Sequence, residues 1–213
     1  KGIRWSDGTL FTSDAFAWYY ERQLLNPTLT PNPPTNWSTG SPKVLMQVET
    51  PDDYTVIFKF AHPNGLFVFT QRYHPHNCGH YMQQFHMELT ADKDALAALV
   101  KEKGFDSWGA YYMDRNSWYL NPDRPTTDPW MATNALSEQL FVMQRNPYYW
   151  QVDTEGQQLP YLDTVTHRLY ESGDVFNMWI LNGEIDCQSR GVGMQNYTLY
   201  KENEEKGDFH IAM

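Results

Sequence analysis

The chain has 213 residues, 41% hydrophobic and 20% charged, with a formal net charge of −10 and a mean hydropathy of −0.64. That is enough ordinary globular sequence for one large core or two small ones, and no run of about 18 apolar residues exists to span a membrane. The 16 lysines and arginines lie mostly singly against 26 acidic residues, which argues against a nucleic-acid partner.

Aromatic residues make up 15%, including 8 Trp and 14 Tyr, more than a bulk core alone asks for. Flat aromatic faces also suit sugars and peptide side chains. The two cysteines, Cys78 and Cys187, are too few for a disulfide framework, and each reads as a small buried hydrophobe. Lys1 to Trp5 has no apolar signal-peptide core and no initiator methionine, so Lys1 reads as a processing boundary.

In chain order, Ile3-Arg4-Trp5 reads as a strand end and Ser6-Asp7-Gly8-Thr9 as a turn. Thr12 or Ser13 is placed to cap a helix reaching about Leu25, with Asp14 favourable in its first turn. The stretch Asn26–Pro42 is rich in proline and predicts an extended loop whose large anchor is Trp37. Lys43–Glu49 and Tyr54–Phe60 alternate around Thr50-Pro51-Asp52-Asp53 and predict a hairpin. Short helices follow at Leu66–Gln71 and His80–Phe85, and a stronger one at Asp92–Lys103 with Leu96, Leu99 and Val100 as its stripe and Gly104 beyond its end. A third is expected at Asp106–Met113, and prolines keep Asn116–Pro129 irregular.

Glu138–Gln144 reads as a strand that Pro147 must end, since proline cannot donate to a ladder. Thr164–Tyr170 reads as a second strand. Ser172 opens a helix, Val175–Leu181, which Gly183 stops, and Glu184–Cys187 reads as a third strand. Strand, helix, strand with a short exit loop predicts a βαβ unit. Asn196–Lys206 reads as an acidic surface helix stopped by Gly207, and Asp208–Met213 as a last strand.

Three stretches in order carry a family resemblance: Arg145-Asn146-Pro147-Tyr148-Tyr149-Trp150, Leu159-Pro160-Tyr161-Leu162-Asp163 and Asn182-Gly183-Glu184-Ile185-Asp186. They resemble the signature series of family 5 extracellular solute-binding proteins, the peptide/nickel-type receptors of ABC importers. Lys1 to Thr9 with Phe11 to Asp14 resembles the same family's N-terminal signature, with Leu10 where proline is usual. Phe105-Asp106-Ser107-Trp108 through Asp128-Pro129-Trp130 resembles an insertion in one branch of the family. Asp128 stands where the family has glycine, a departure that puts that turn's usual geometry in doubt, though aspartate tolerates positive φ better than most residues.

The resemblance implies an α/β, periplasmic-binding-protein-like (type II) fold: a mixed sheet with helices on its faces. Residues 1–78 would match the family's extra domain and 79–213 part of lobe one, with lobe two absent. It implies capture of an oligopeptide or oligosaccharide outside the membrane and delivery to ABC permease subunits. Location would be periplasmic or at the cell surface, with membrane attachment only through a missing anchor or the permease. It implies no catalysis, no cofactor and no metal. Trp37 is its candidate ligand-side aromatic residue, against a plain reading as a loop anchor in the core. His74 and His76 are candidates at the cleft rim, and Trp130 another, against a core tryptophan. A receptor of this kind closes two lobes on its ligand, so half of one is expected to bind weakly.

Two other readings compete. A secreted carbohydrate-active domain, hydrolase or aromatic-platform module, would use the same Trp and Tyr content. A zinc site would use His74, His76, Cys78 and His80, though their spacing fits no standard module. No Gly-x-Ser-x-Gly elbow exists, Gly191-Val192-Gly193 lacks the rest of a phosphate loop, and no nucleophile–base pair stands out.

Overall fold

The computed structural model describes residues 1–70 and 75–212. Contacts divide the chain into two compact units, residues 1–167 and 168–213.

The first unit starts with a turn in which Arg4 and Leu10 form a bridge and Gly8 takes φ +87°. Helix α1, Asp14–Trp18, runs on into a π-helical segment, Tyr19–Leu24, closed by Leu25 N donating to Tyr20 O. Ser13 precedes α1 but does not cap it. Its hydroxyl instead donates to Asp52 O at 2.7 Å and its N–H to Asp53 O, tying the helix to a distant turn. The proline-rich loop leads through a 3₁₀ turn, Thr35–Trp37, to β1, Ser38–Thr39, which pairs with β2, Val44–Leu45. The expected hairpin is β3, Gln47–Asp52, against β4, Thr55–Lys59, with Val48 opposite Phe58 and an irregularity between Glu49 and Asp52.

Helix α2, Phe67–Thr70, falls within the expected Leu66–Gln71 helix; Leu66 lies in the turn before it, and Gln71 lies outside the described residues. Helix α3, Gly79–Met82, continues as a 3₁₀ turn. Helix α4, Lys93–Glu102, is capped by Asp92, whose carboxylate accepts from Ala95 N, and it buries Leu96 and Val100. Helix α5, Trp108–Asn116, is capped in the same way by Ser107 and reaches three residues beyond the expected end. Strands β5, Trp130–Ala132, β6, Leu140–Arg145, and β7, Thr164–Arg168, form a sheet in that order, with Trp130 opposite Arg145 in the antiparallel β5–β6 pair.

Three clusters fill this unit. Trp5, Ala15, Leu29, Cys78, Met82 and Tyr112 make one; Leu24, Trp37, Met46 and Phe67 another; Leu96, Val100 and Tyr111 the third. The first draws buried residues from both sides of residue 78.

In the second unit, α6, Gly173–Leu181, packs Phe176 and Ile180 against Tyr200 of α7, Tyr197–Gly207. Ser172 caps α6 and Gly183 takes φ +69° beyond it, both as the sequence indicates. A Cβ on Gly183 would meet Gly207 O at 2.3 Å, so that position admits no side chain. Four expectations fail here. Glu184–Cys187 is not a strand, so no βαβ unit forms. Its first N–H still serves the helix end, donating to Trp179 O, and the Glu184 carboxylate is held by Arg168 and Asn182. Residues 209–212 are also irregular, because Ile211 N donates to the Glu204 carboxylate rather than to a ladder. The left-handed residue after α7 is Asp208, φ 51°, not Gly207. Cys187 is exposed, not buried.

Candidate functional site

A cleft of about 280 Å³ opens in the first unit beside Trp5. Tyr19, Gln23, His76, Asn116, Trp118, Arg124 and Thr126–Asp128 complete its walls. Besides Trp5 and His76, three segments build it. The π-helical turn brings Tyr19 and Gln23 to one side. The end of α5 delivers Asn116 and, just past it, Trp118. The irregular loop after α5 carries Arg124 and Asp128.

That loop is held by specific bonds rather than by regular structure. Asn121 donates to Arg115 O at 2.6 Å and to the Tyr81 hydroxyl at 3.2 Å. Thr126 and Ser6 exchange two bonds, Ser6 N to Thr126 O and Thr126 N to Ser6 Oγ. Asn146, fully buried, donates through Nδ2 to Asp128 O, and its own N–H goes to Pro129 O. Asp128 does not take positive φ, so the family's glycine geometry is not kept there; among the described non-glycine residues only Asp208 does.

The floor is a buried polar network. Asn77 donates to Gln23 Oε1 at 2.9 Å and to the Tyr112 hydroxyl at 3.2 Å, while Tyr112 donates to Gln23 Oε1 at 3.3 Å. Every member has a partner, as burial of polar groups requires. Arg124 lies on top, donating to Asn77 Oδ1, Asn116 Oδ1 and Pro125 O. Burial pushes the Tyr112 hydroxyl far above the ordinary tyrosine range. Burial likewise raises the Cys78 thiol to about 11, against the opposing pull of Arg124. Both groups are therefore neutral and inert at physiological pH.

Of the residues singled out in the sequence, His76 borders this cleft. Its ring meets Phe11 edge-on at 5.0 Å and approaches Phe16 and Trp5 at 5.4 and 5.7 Å. Trp37 is 4% exposed and packs against Tyr19 and Phe67, the position of a core anchor and not of a cleft wall. Trp130 starts β5, half-buried, and its indole N–H donates to Leu162 O at 3.2 Å. His74 lies outside the described residues.

The grouping of His76, Cys78 and His80 does not converge. Cys78 is buried in the core and His80 pairs with Asp7 at 2.8 Å. No three His, Cys, Asp or Glu side chains among the described residues are placed to share a metal ion. The sequence reading singles out neither Trp118 nor Arg124, and takes Asp128 only for its backbone, although the aromatic, proline-broken segment holding all three resembles an insertion.

The model of the bacterial extracellular solute-binding proteins, family 5 middle region, matches residues 1–211. The chain belongs to that family. It is similar to the oligopeptide-binding protein OppA, 34% identical with a TM-score of 0.88, over 97% of this chain and 33% of that one. It is 28% identical over 173 residues to the periplasmic alpha-galactoside-binding protein of Rhizobium meliloti, 79% of this chain and 22% of that protein. A binding protein from Agrobacterium fabrum in complex with stachyose shares the fold, at a TM-score of 0.70 and 23% identity over 95% of this chain and 28% of that one. This family 5 chain thus spans a third or less of the length of these relatives. The mixed helices and sheets seen here are those of the family's periplasmic-binding-protein fold.

Proposed function

We propose that these 213 residues are a portion of the solute receptor of an ABC importer, which captures an oligopeptide or oligosaccharide outside the cytoplasmic membrane and hands it to the permease. The observation that carries this reading is the family match along nearly the whole chain, residues 1–211. The relatives named above are binding proteins, and their names supply the two ligand classes. The inert Cys78 and Tyr112 beside the cleft fit a binding role better than a catalytic one. No helix among the described residues is long and apolar enough to cross a membrane, so attachment would come through the permease or an anchor elsewhere in the receptor.

Within the complete receptor, residues 1–78 would belong to the family's extra domain and 79–213 to part of lobe one. Ligand is then held by two lobes closing on it, and most of the binding free energy requires both. The test is calorimetry on the complete receptor and on the isolated chain, after mass spectrometry of any solute that co-purifies. The co-purified solute should titrate into the complete receptor and give no heat with the 213 residues. Tight binding by the isolated chain would overturn the two-lobe reading.

A further inference from the structure

Trp118, Arg124 and Asp128 line one cleft, and each keeps unused capacity on its walls. Trp118 is 43% exposed even though Tyr119 and Phe141 pack against its ring, so part of the indole is held in place and left open. Arg124 has five N–H donors and spends three, on Asn116, Pro125 and Asn77. It forms no ion pair with any carboxylate among the described residues. Asp128 accepts from the Thr126 hydroxyl through Oδ2, and its Oδ1 has no protein partner among the described residues. A cation and a carboxylate four residues apart thus share a cleft without neutralising each other.

We propose that this cleft seats one pyranose ring of a saccharide ligand, an inference that rests on the receptor reading above and narrows it. A sugar ring offers an apolar C–H face for an aromatic platform and hydroxyl pairs at its edge. Each hydroxyl both donates and accepts. Arg124 supplies the donors to one hydroxyl oxygen and Asp128 Oδ1 the acceptor for a neighbouring O–H. A peptide carboxylate would satisfy Arg124 but be repelled by Asp128, and an ammonium the reverse. At about 280 Å³ the cleft is also smaller than the ~300–1,000 Å³ of typical whole-ligand sites, so it fits a single residue of an oligomer. Asn77 acts as a positioning residue, fixing the guanidinium from beneath.

The experiment titrates raffinose, maltotriose and trialanine into the complete receptor, for the parent and for Trp118→Ala and Trp118→Phe. Trp118 is the residue to vary because its exposure leaves the core intact. At least one saccharide is expected to bind. Trp118→Ala should weaken it about tenfold or more, as for loss of a well-packed aromatic anchor, with Trp118→Phe recovering part of the loss. Saccharide binding that ignores Trp118→Ala overturns the cleft assignment and leaves the receptor reading standing. So does binding of trialanine alone. No heat from any of the three overturns the cleft assignment, while the receptor reading falls only if the co-purified solute also fails to titrate.

Discussion

Asn146 Nδ2 donates to Asp128 O at 2.9 Å, joining the first residue after β6 to the loop that walls the cleft. The same side chain accepts from Tyr148 N through Oδ1, so one amide closes its own turn and holds a loop eighteen residues away. The Asn of the Arg-Asn-Pro stretch is thus a scaffold residue. Its N–H, bonded to Pro129 O, and its side chain set where Asp128 stands.

Asn146→Ala should therefore cost stability and binding together. Removing the amide takes these bonds from the Asp128 carbonyl and the Tyr148 N–H in a part-buried setting, a loss of about 1–2 kcal/mol. Thermal denaturation of the complete receptor should show the lower midpoint. Calorimetry should show weaker ligand binding even at temperatures where the variant is fully folded. A variant that melts early yet binds as the parent does would separate Asn146 from the cleft.

Gly79 opens α3 under the indole of Trp18. A Cβ there would come within 2.4 Å of Trp18 Cδ1, far inside contact distance. The indole cannot swing aside easily, since it stacks on Tyr112 at 6.3 Å and lies edge-on to His86 at 6.2 Å. Alanine at this site, normally the better helix former, should destabilise by about 1–3 kcal/mol through overpacking. Urea denaturation of Gly79→Ala in the complete receptor measures it, and a midpoint at or above the parent's would rule out the steric account.

How much of this was readable beforehand depends on how local the cause is. The cap Ser172 and the hairpin between β3 and β4 follow from side chains within a few residues of the backbone they serve. The motif series likewise placed the chain in its family. Glu184–Cys187 misled because its alternation looks like a strand, whereas a strand needs a ladder partner and Glu184 bonds instead at the end of α6. Ser13 misled in the same way: the hydroxyl expected at α1 goes to Asp52, thirty-nine residues on. The cleft was the least legible part. Gln23, Asn77, Tyr112 and Arg124 meet only through long-range folding, and nothing in their local patterns marks them. Trp37 and Trp118 are equally conspicuous in the sequence; only packing shows that one is core and the other wall.

The two cysteines should be told apart by chemistry. Cys78 is fully buried with its thiol raised to about 11, while Cys187 is exposed. Thiolate is the reactive form, so native protein at pH 8 should release one equivalent of chromophore from a disulfide reagent at Cys187. The second equivalent should appear only in denaturant. Cys187→Ser should abolish the native reaction and Cys78→Ser leave it unchanged. Fast labelling of both in the native state would contradict the burial of Cys78.

Asp7 links the N-terminal turn to α3 and gives the chain an acid-sensitive contact. Burial disfavours its charge, but the hydrogen bonds from Thr9 and His80 outweigh that and hold the carboxyl below its ordinary value of 3.8. A group whose pKa is depressed on folding stabilises the fold above its unfolded value and loses that contribution as pH falls through the lower folded value. Asp7 thus supports the turn at neutral pH, and its contribution fades below about pH 3.8. Asp7→Asn cannot titrate. The gap in melting temperature between parent and Asp7→Asn should narrow as the pH is taken below 4, where the carboxyl itself becomes neutral. The pair is partly solvent-exposed, with Asp7 at 37% and His80 at 34%, so salt should shrink the gap as well. A gap that persists undiminished at pH 3 would mean that Asp7 serves the turn through shape alone, its charge contributing nothing.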